Sequence, residues 1–406
     1  MDSNEQSIVS LAMVGHALVH TYELSIPVLI PLWLDQFGIT PSTMGIVVGV
    51  GYAMFGFGSI PAGILADFYE SKKLIALCLF GMSVSFLAVS SAPTILVLAL
   101  ALFVWGVTAS IYHPAGLSIL SRDVTSRGRA LGYHGIAGNI GVAIGPLVTI
   151  LLLLVFDWRI ATVGLALPGL LIAPLVWRMD ITESTTTPGG TDESTVATDG
   201  GFSWRSFLVL TRTTFSGLFV VVFAIVIFEG LYYRGALTFL PDMLGGFATF
   251  GAIGFFGRPI EPSRYLYVGL LIVGIGGQYF GGWLSDQMKP VLGVALAFAA
   301  LGLIALLFIP AASAGLVPLL LVSALLGFVV FGEQPLLQAA VAEHSTADTR
   351  GISYGYMYAG VFGVGAGGAA ITGFLLTYAS SDALFGFLAL IATLATATAI
   401  AVHRYS

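Results

Sequence analysis

Apolar runs of 18 or more residues recur along the whole chain, each long enough to cross a hydrocarbon core of roughly 30 Å. Charged residues and Gly, Pro and Ser punctuate them. The pattern predicts membrane helices over 7–34, 43–67, 73–91, 94–121, 129–156 and 159–179, then over 214–244, 263–286, 290–311, 314–342, 350–378 and 381–403. The segment 180–201 between the two sets holds five acidic residues and no basic one, with the Ser/Thr/Gly composition of a tether that cannot bury a core. Beyond it, 203–213 carries Arg205 and Arg212 and suits a short helix lying on the membrane face. The predicted organisation is an all-α integral membrane protein: a six-helix bundle over 1–179, an acidic cytoplasmic linker with an interfacial helix over 180–213, and a second six-helix bundle over 214–406.

Composition agrees with the pattern. The 406 residues are 57% hydrophobic and 9% charged, with a mean hydropathy of +0.97, whereas soluble domains are about a quarter charged. Nothing in 1–6 or after the first run resembles a cleaved leader, so the first helix is expected to be retained. The single cysteine, Cys78, excludes an intramolecular disulfide and a multi-cysteine metal site, and no cofactor or metal is expected. A net charge of -6, with three lysines and twelve arginines, argues against a nucleic-acid partner and points to a salty habitat. Of the fifteen basic residues, eleven fall on the side that holds both termini if there are twelve spans, and three on the other. By the positive-inside rule both termini are then cytoplasmic, which suits a multi-pass protein of the cell membrane.

The two sets of helices are related. GILAD at 63–67 matches GWLSD at 282–286, WGVTASIYHP ending at Pro114 matches LGFVVFGEQP ending at Pro335, and RGRALGYHG from Arg127 parallels RGISYGYMY from Arg350. The offsets of 219, 221 and 223 are near constant and mean an internal duplication. Parallel six-helix repeats are a transporter plan, with substrate held near the bilayer midplane at the repeat interface.

The loop after helix 2, GILADFYESKK at 63–73, and its echo GWLSDQMK at 282–289 resemble the signature of the major facilitator superfamily: a glycine, three residues, an aspartate and a basic cluster. Phe68 stands where that family usually has arginine. The resemblance covers essentially the whole chain. It implies a secondary transporter working by alternating access, with no enzymatic activity, and a conformational latch at Gly63, Asp67, Lys72, Lys73, Gly282, Asp286 and Lys289; the same residues also read as ordinary charges at a membrane face and packing glycines. In helix 5, Gly132, Gly141, Gly145 and Pro146 are similar to the motif the family associates with antiporters, although the closing glycine pair is missing. The motif leans toward export, and small residues also pack in any helix bundle. Tyr112, His113 and Pro114, followed by a basic loop, look like the fosmidomycin-resistance, drug-efflux branch, but Ala115 stands where an acidic residue is expected.

Ionisable residues at membrane depth are costly and mark function. Helix 1 carries His16, His20 and Glu23 at i, i+4 and i+7, on one helical face. They form the candidate proton-sensitive group. Helix 7, the repeat partner of helix 1, carries Glu229, Tyr232, Tyr233 and Arg234. Arg234 either clamps an oxyanion with its planar fork or pairs with Glu23 or Glu229. Helices 4 and 5 add Tyr112, His113, His134 and Asn139, and helix 10 adds Glu333, Gln334 and Gln338. These either line a cavity or bond carbonyls freed by Pro114 and Pro335. Helix 4 lacks the embedded arginine common in the family's proton antiporters; Arg122 falls at its end. Nucleotide, zinc-protease and hydrolase motifs are absent. The expectation is a proton-coupled exporter of a small drug-like or anionic compound. Uptake of an organic anion or nutrient, or a receptor on a transporter scaffold, are the alternatives. No obligatory protein partner is expected.

Overall fold

The computed structural model describes residues 1–184, 197–198, 201–247, 253–255, 258–260, 262–345 and 350–405. Among them, twelve helices are long and apolar enough to cross a membrane. Helices 1 to 6 are Ser3–Phe37, Pro41–Phe68, Ser71–Ser91, Ile95–Asp123, Arg127–Leu153 and Trp158–Arg178; helices 7 to 12 are Phe219–Leu237, Pro262–Ser285, Pro290–Ala314, Leu316–Glu343, Ile352–Tyr378 and Ser381–Tyr405. Helical backbone is the natural consequence of such runs, because hydrocarbon offers no partner for an unpaired N–H or C=O. Two short two-stranded ribbons, Ala197–Thr198 with Gly201–Phe202 and Ile253–Phe255 with Arg258–Ile260, occur in the connections.

Helix 7 is shorter than the apolar run 214–244 predicts. Gly217, at φ +61, turns the chain out of a preceding helix, Trp204–Thr214. At the other end helix 7 stops at Leu237, and Pro241 sits in the first turn of a separate helix, Leu240–Gly246, where its missing N–H costs nothing. Trp204, Leu208 and Val209 of the first short helix are exposed. Of the linker 180–201, residues 185–196 and 199–200 lie outside the described residues.

Packing divides the chain into two compact units, residues 1–26 with 50–213, and residues 27–49 with 214–406. The hairpin 27–49, placed with the first half by its position in the sequence, therefore packs in the second unit. One crossing point falls at Ile26 and Pro27, where proline interrupts the hydrogen-bond ladder of helix 1. Within the second unit, Ser42 N–H donates to Thr377 Oγ1 at 2.8 Å.

Each unit is held by the same contacts, as a duplication requires. In the first, helix 3 packs on helices 4 and 6; in the second, helix 9 packs on helices 10 and 12. Tyr22 on helix 1 reaches Ser83 Oγ of helix 3 at 2.8 Å, and Tyr232 on helix 7 donates to the Leu301 carbonyl of helix 9 at 3.1 Å. Both tyrosines are fully buried. They are internal struts, so the Tyr232 hydroxyl is spent on the fold.

The helix 5 glycines serve close approach. A side chain begun at Gly141 would stand 2.1 Å from the Ala17 carbonyl oxygen, and one at Gly145 would stand 2.4 Å from that of Thr21. At Gly132, by contrast, a Cβ would meet nothing within 4 Å among the described residues. We expect Gly141→Val to lose about 1–3 kcal/mol to overpacking, while Gly132→Ala is neutral or stabilising by up to about 1 kcal/mol. Thermal unfolding of the two purified variants checks this; equal melting temperatures would contradict the close-packing role of Gly141.

Candidate functional site

Four of the six histidines in the sequence cluster in the first unit. The helical repeat puts His16 and His20 one turn apart on helix 1, and helices 4 and 5 bring His113 and His134 to them. The His16 ring stacks on His134 with centroids 3.8 Å apart and meets His113 edge-on at 5.2 Å. Tyr112 lies nearly parallel to both stacked rings, 5.5 Å from His16 and 6.0 Å from His134, with its hydroxyl donating to the Ala12 carbonyl. His16, His113 and His134 are buried, as is Glu23. Gly138, one turn beyond His134, leaves room for the imidazole, since a Cβ there would stand 2.4 Å from the His16 ring.

The hydrogen bonds fix how these rings are oriented. His16 Nδ1 lies 2.7 Å from the His134 carbonyl oxygen. A carbonyl only accepts, so Nδ1 carries the hydrogen and Nε2 the lone pair. His20 Nδ1 lies 2.6 Å from Glu23 Oε2 and its Nε2 lies 3.0 Å from Nε2 of His16. With Glu23 ionised and both rings neutral, the two Nε2 atoms would face each other lone pair to lone pair. The run Glu23–His20–His16 is complete only with one more proton, held on a ring or on the carboxyl. Stated as chemistry, the first unit presents a group that attracts a cation.

The second unit offers the opposite. Arg234 is 3% exposed, and its guanidinium lies 5.3 Å from the Tyr233 ring and 5.2 Å from the Phe362 ring. Tyr233 and Glu229 are buried with it on helix 7, and Glu333 of helix 10 is buried within electrostatic reach of Glu229. Phe362 is absent from the sequence-derived set. It sits in a π-helical segment of helix 11, Ala359–Val364, and such segments concentrate at functional sites. The glycine-rich run 360–368 is the signal that marks it: Gly365 lies so close to Gly230 of helix 7 that a Cβ would stand 2.5 Å from the Gly230 Cα.

Asn139 and Gln334 are half-buried and Gln338 is exposed. Pro146 lies inside helix 5 and Pro335 inside helix 10, each continuous across its proline.

The two signature segments run from the last turns of helices 2 and 8. Among the described residues no atom stands within 4 Å of a side chain begun at Gly63 or Gly282. Asp67 is exposed at the end of helix 2 and is within electrostatic reach of Arg122. Lys72 Nζ donates to the Met179 carbonyl at 3.0 Å and Lys73 Nζ to Glu70 at 2.8 Å. The organising group is Glu183, whose carboxylate accepts the N–H groups of Ser71 and Lys72, both at 2.8 Å, and the Arg122 guanidinium at 3.2 Å. It caps helix 3 and straps the start of the linker to the bundle, in place of the free tether expected there. Glu5 holds the turn ahead of helix 5, accepting the Thr125 N–H at 2.7 Å and the Thr125 hydroxyl. In the second unit Asp286 and Lys289 are exposed and form no ion pair among the described residues.

Comparison with known proteins places this geometry. A gallate transporter of Pseudomonas putida is 24% identical over 367 residues, covering 84% of this chain and 80% of its own. A probable L-galactonate transporter of Escherichia coli (strain K12) is 22% identical over 147 residues, 36% of this chain and 32% of its own, so that match spans about a third of the relative's length. The crystal structure of a bacterial homolog to the human lysosomal transporter Spinster superposes over 99% of both chains with a TM-score of 0.74 at 14% identity, a likeness of fold alone. These relatives give no support to the fosmidomycin-resistance branch. The sequence model of the Major Facilitator Superfamily matches residues 12–276, more than half of the chain, and with twelve membrane helices in duplicated sets the protein belongs to that superfamily and is a membrane transporter, not an enzyme.

Proposed function

We propose that the protein moves a small organic carboxylate across the cell membrane by alternating access, together with a proton. Arg234 carries this reading: it is a buried guanidinium on helix 7, flanked by two aromatic rings. A guanidinium fork binds a carboxylate with two parallel hydrogen bonds, and the rings accept the body of the molecule. The histidine group presents lone pairs and suits a cation, so the anion is assigned to Arg234. The transporters named for gallate and L-galactonate among the relatives favour the same substrate class.

The proton is assigned to the pair Glu229 and Glu333. With Arg234, these two carboxylates carry a formal charge of -1 when all three are ionised. One proton brings the set to neutrality and releases the guanidinium for the incoming carboxylate. Binding of anion and proton is thereby linked, which favours movement of both in the same direction. Of the helix 5 glycines that suggest export, Gly141 and Gly145 lie against Ala17 and Thr21, which supports a packing role for these two that is independent of direction. The distribution of basic residues supports a cytoplasmic position for both termini.

Two variants in proteoliposomes test this, with gallate and L-galactonate as probes. Losing a charge-assisted bidentate contact of about 1.5–3 kcal/mol, Arg234→Lys should weaken carboxylate counterflow by about 10- to 100-fold, mainly through KM; unchanged counterflow would remove the arginine from the site. Glu333→Gln should abolish accumulation driven by a pH gradient while leaving counterflow in place. Gradient-driven accumulation at the wild-type level in that variant would remove the carboxylate pair from coupling.

A further inference from the structure

The histidine group of the first unit has chemistry that the carboxylate reading leaves unused. Ligand nitrogens of His16, His20 and His113 all lie within 4.8 Å of one another. Two of them, the Nε2 atoms of His16 and His20, are 3.0 Å apart. The edge of a tetrahedral zinc site with Zn–N bonds of 2.0–2.1 Å is about 3.3–3.4 Å. The helix 1 pair is therefore within a few tenths of an ångström of a chelating arrangement, as expected for histidines at i and i+4 on one helical face.

The surroundings match what metal-binding imidazoles require. A ligating histidine usually donates its second N–H to a carboxylate or a backbone carbonyl, which fixes the tautomer and raises the basicity of the other nitrogen. His20 makes that bond to Glu23 and His16 makes it to the His134 carbonyl. Helix 4 supplies a third imidazole, His113, with its ring 5.2 Å from His16 and 5.6 Å from His20. His134 Nε2 is buried and has no hydrogen-bond partner among the described residues, leaving a further donor atom beside the group.

We propose that His16, His20 and His113 form a binding site for one divalent first-row transition-metal ion, zinc being the best match to three neutral imidazoles. The ion takes the position of the proton that otherwise bridges the two Nε2 atoms. Glu23 holds the His20 ring and supplies a compensating negative charge from one bond further out. Three protein ligands leave a fourth position open to water or to an anion. Helix 1 and helix 4 become tied through the ion, with His113 drawn inward.

The site is read most directly by titrating untagged wild-type protein in lipid nanodiscs with Co²⁺ and following its visible ligand-field bands, then displacing it with Zn²⁺. The expected result is one tetrahedral Co²⁺ per chain, fully displaced by Zn²⁺. His20→Gln and His113→Gln should each weaken binding at least tenfold, and His344→Gln with His403→Gln, which are not members of the cluster, should leave it unchanged. Glu23→Gln preserves the shape of the site and removes only the supporting charge, so it guards against a folding artefact; a loss of about 10- to 100-fold is expected. No saturable Co²⁺ or Zn²⁺ binding by the wild type, or binding of equal strength in the triple His16→Gln, His20→Gln, His113→Gln variant, would overturn the proposal. The measurement needs no transport, and its outcome is independent of the carboxylate reading.

Discussion

Hydrocarbon solvates neither a charge nor an open backbone hydrogen-bonding group, and that single constraint orders this protein. Backbone groups are satisfied inside helices, so the chain becomes twelve of them. Helices gain little from burying apolar side chains away from equally apolar lipid, so their association rests on close contact at small residues. The approaches of Gly141 to Ala17 in the first unit and of Gly368 to Leu231 in the second are examples. Some polar atoms that remain at depth are tied to the fold, as Tyr22 and Tyr232 are, and others are gathered where they can compensate one another.

That gathering yields two centres of opposite character. In the first unit, imidazole lone pairs converge beside one carboxylate and call for a cation. In the second, a guanidinium lies among aromatic rings, with two carboxylates buried in the same unit, and calls for an anion whenever one carboxylate is neutral. The duplication that made both units evidently did not preserve their chemistry. Helix 1 and helix 7 keep the tyrosine strut at matching depth, while one carries histidines and the other an arginine. Packing positions stayed equivalent and the polar positions diverged, which is how one fold comes to hold different solutes.

Much of this is legible in the chain itself. Twelve spans follow from run length, and the duplication follows from offsets that hardly vary. The helix 1 face follows from i, i+4, i+7 spacing, because it is local to one helix. What the sequence does not carry is proximity between helices. That His113 and His134 come to His16, that Glu183 caps helix 3 and that Phe362 reaches Arg234 all depend on tertiary packing. The surroundings of Gly63 are equally non-local: among the described residues nothing stands within 4 Å of a Cβ built there. The end of helix 7 at Leu237 was hidden by an apolar run that continues past it, although Pro241 marks the break.

The central claim is that a carboxylate and a proton travel together. Its most direct test is to follow internal pH and carboxylate content at the same time in proteoliposomes that start with no pH gradient, with the membrane potential clamped at zero. The account predicts that inward carboxylate flux acidifies the lumen, with one proton entering for each carboxylate. Carboxylate entry with no change in internal pH, or with the lumen turning alkaline, would contradict it.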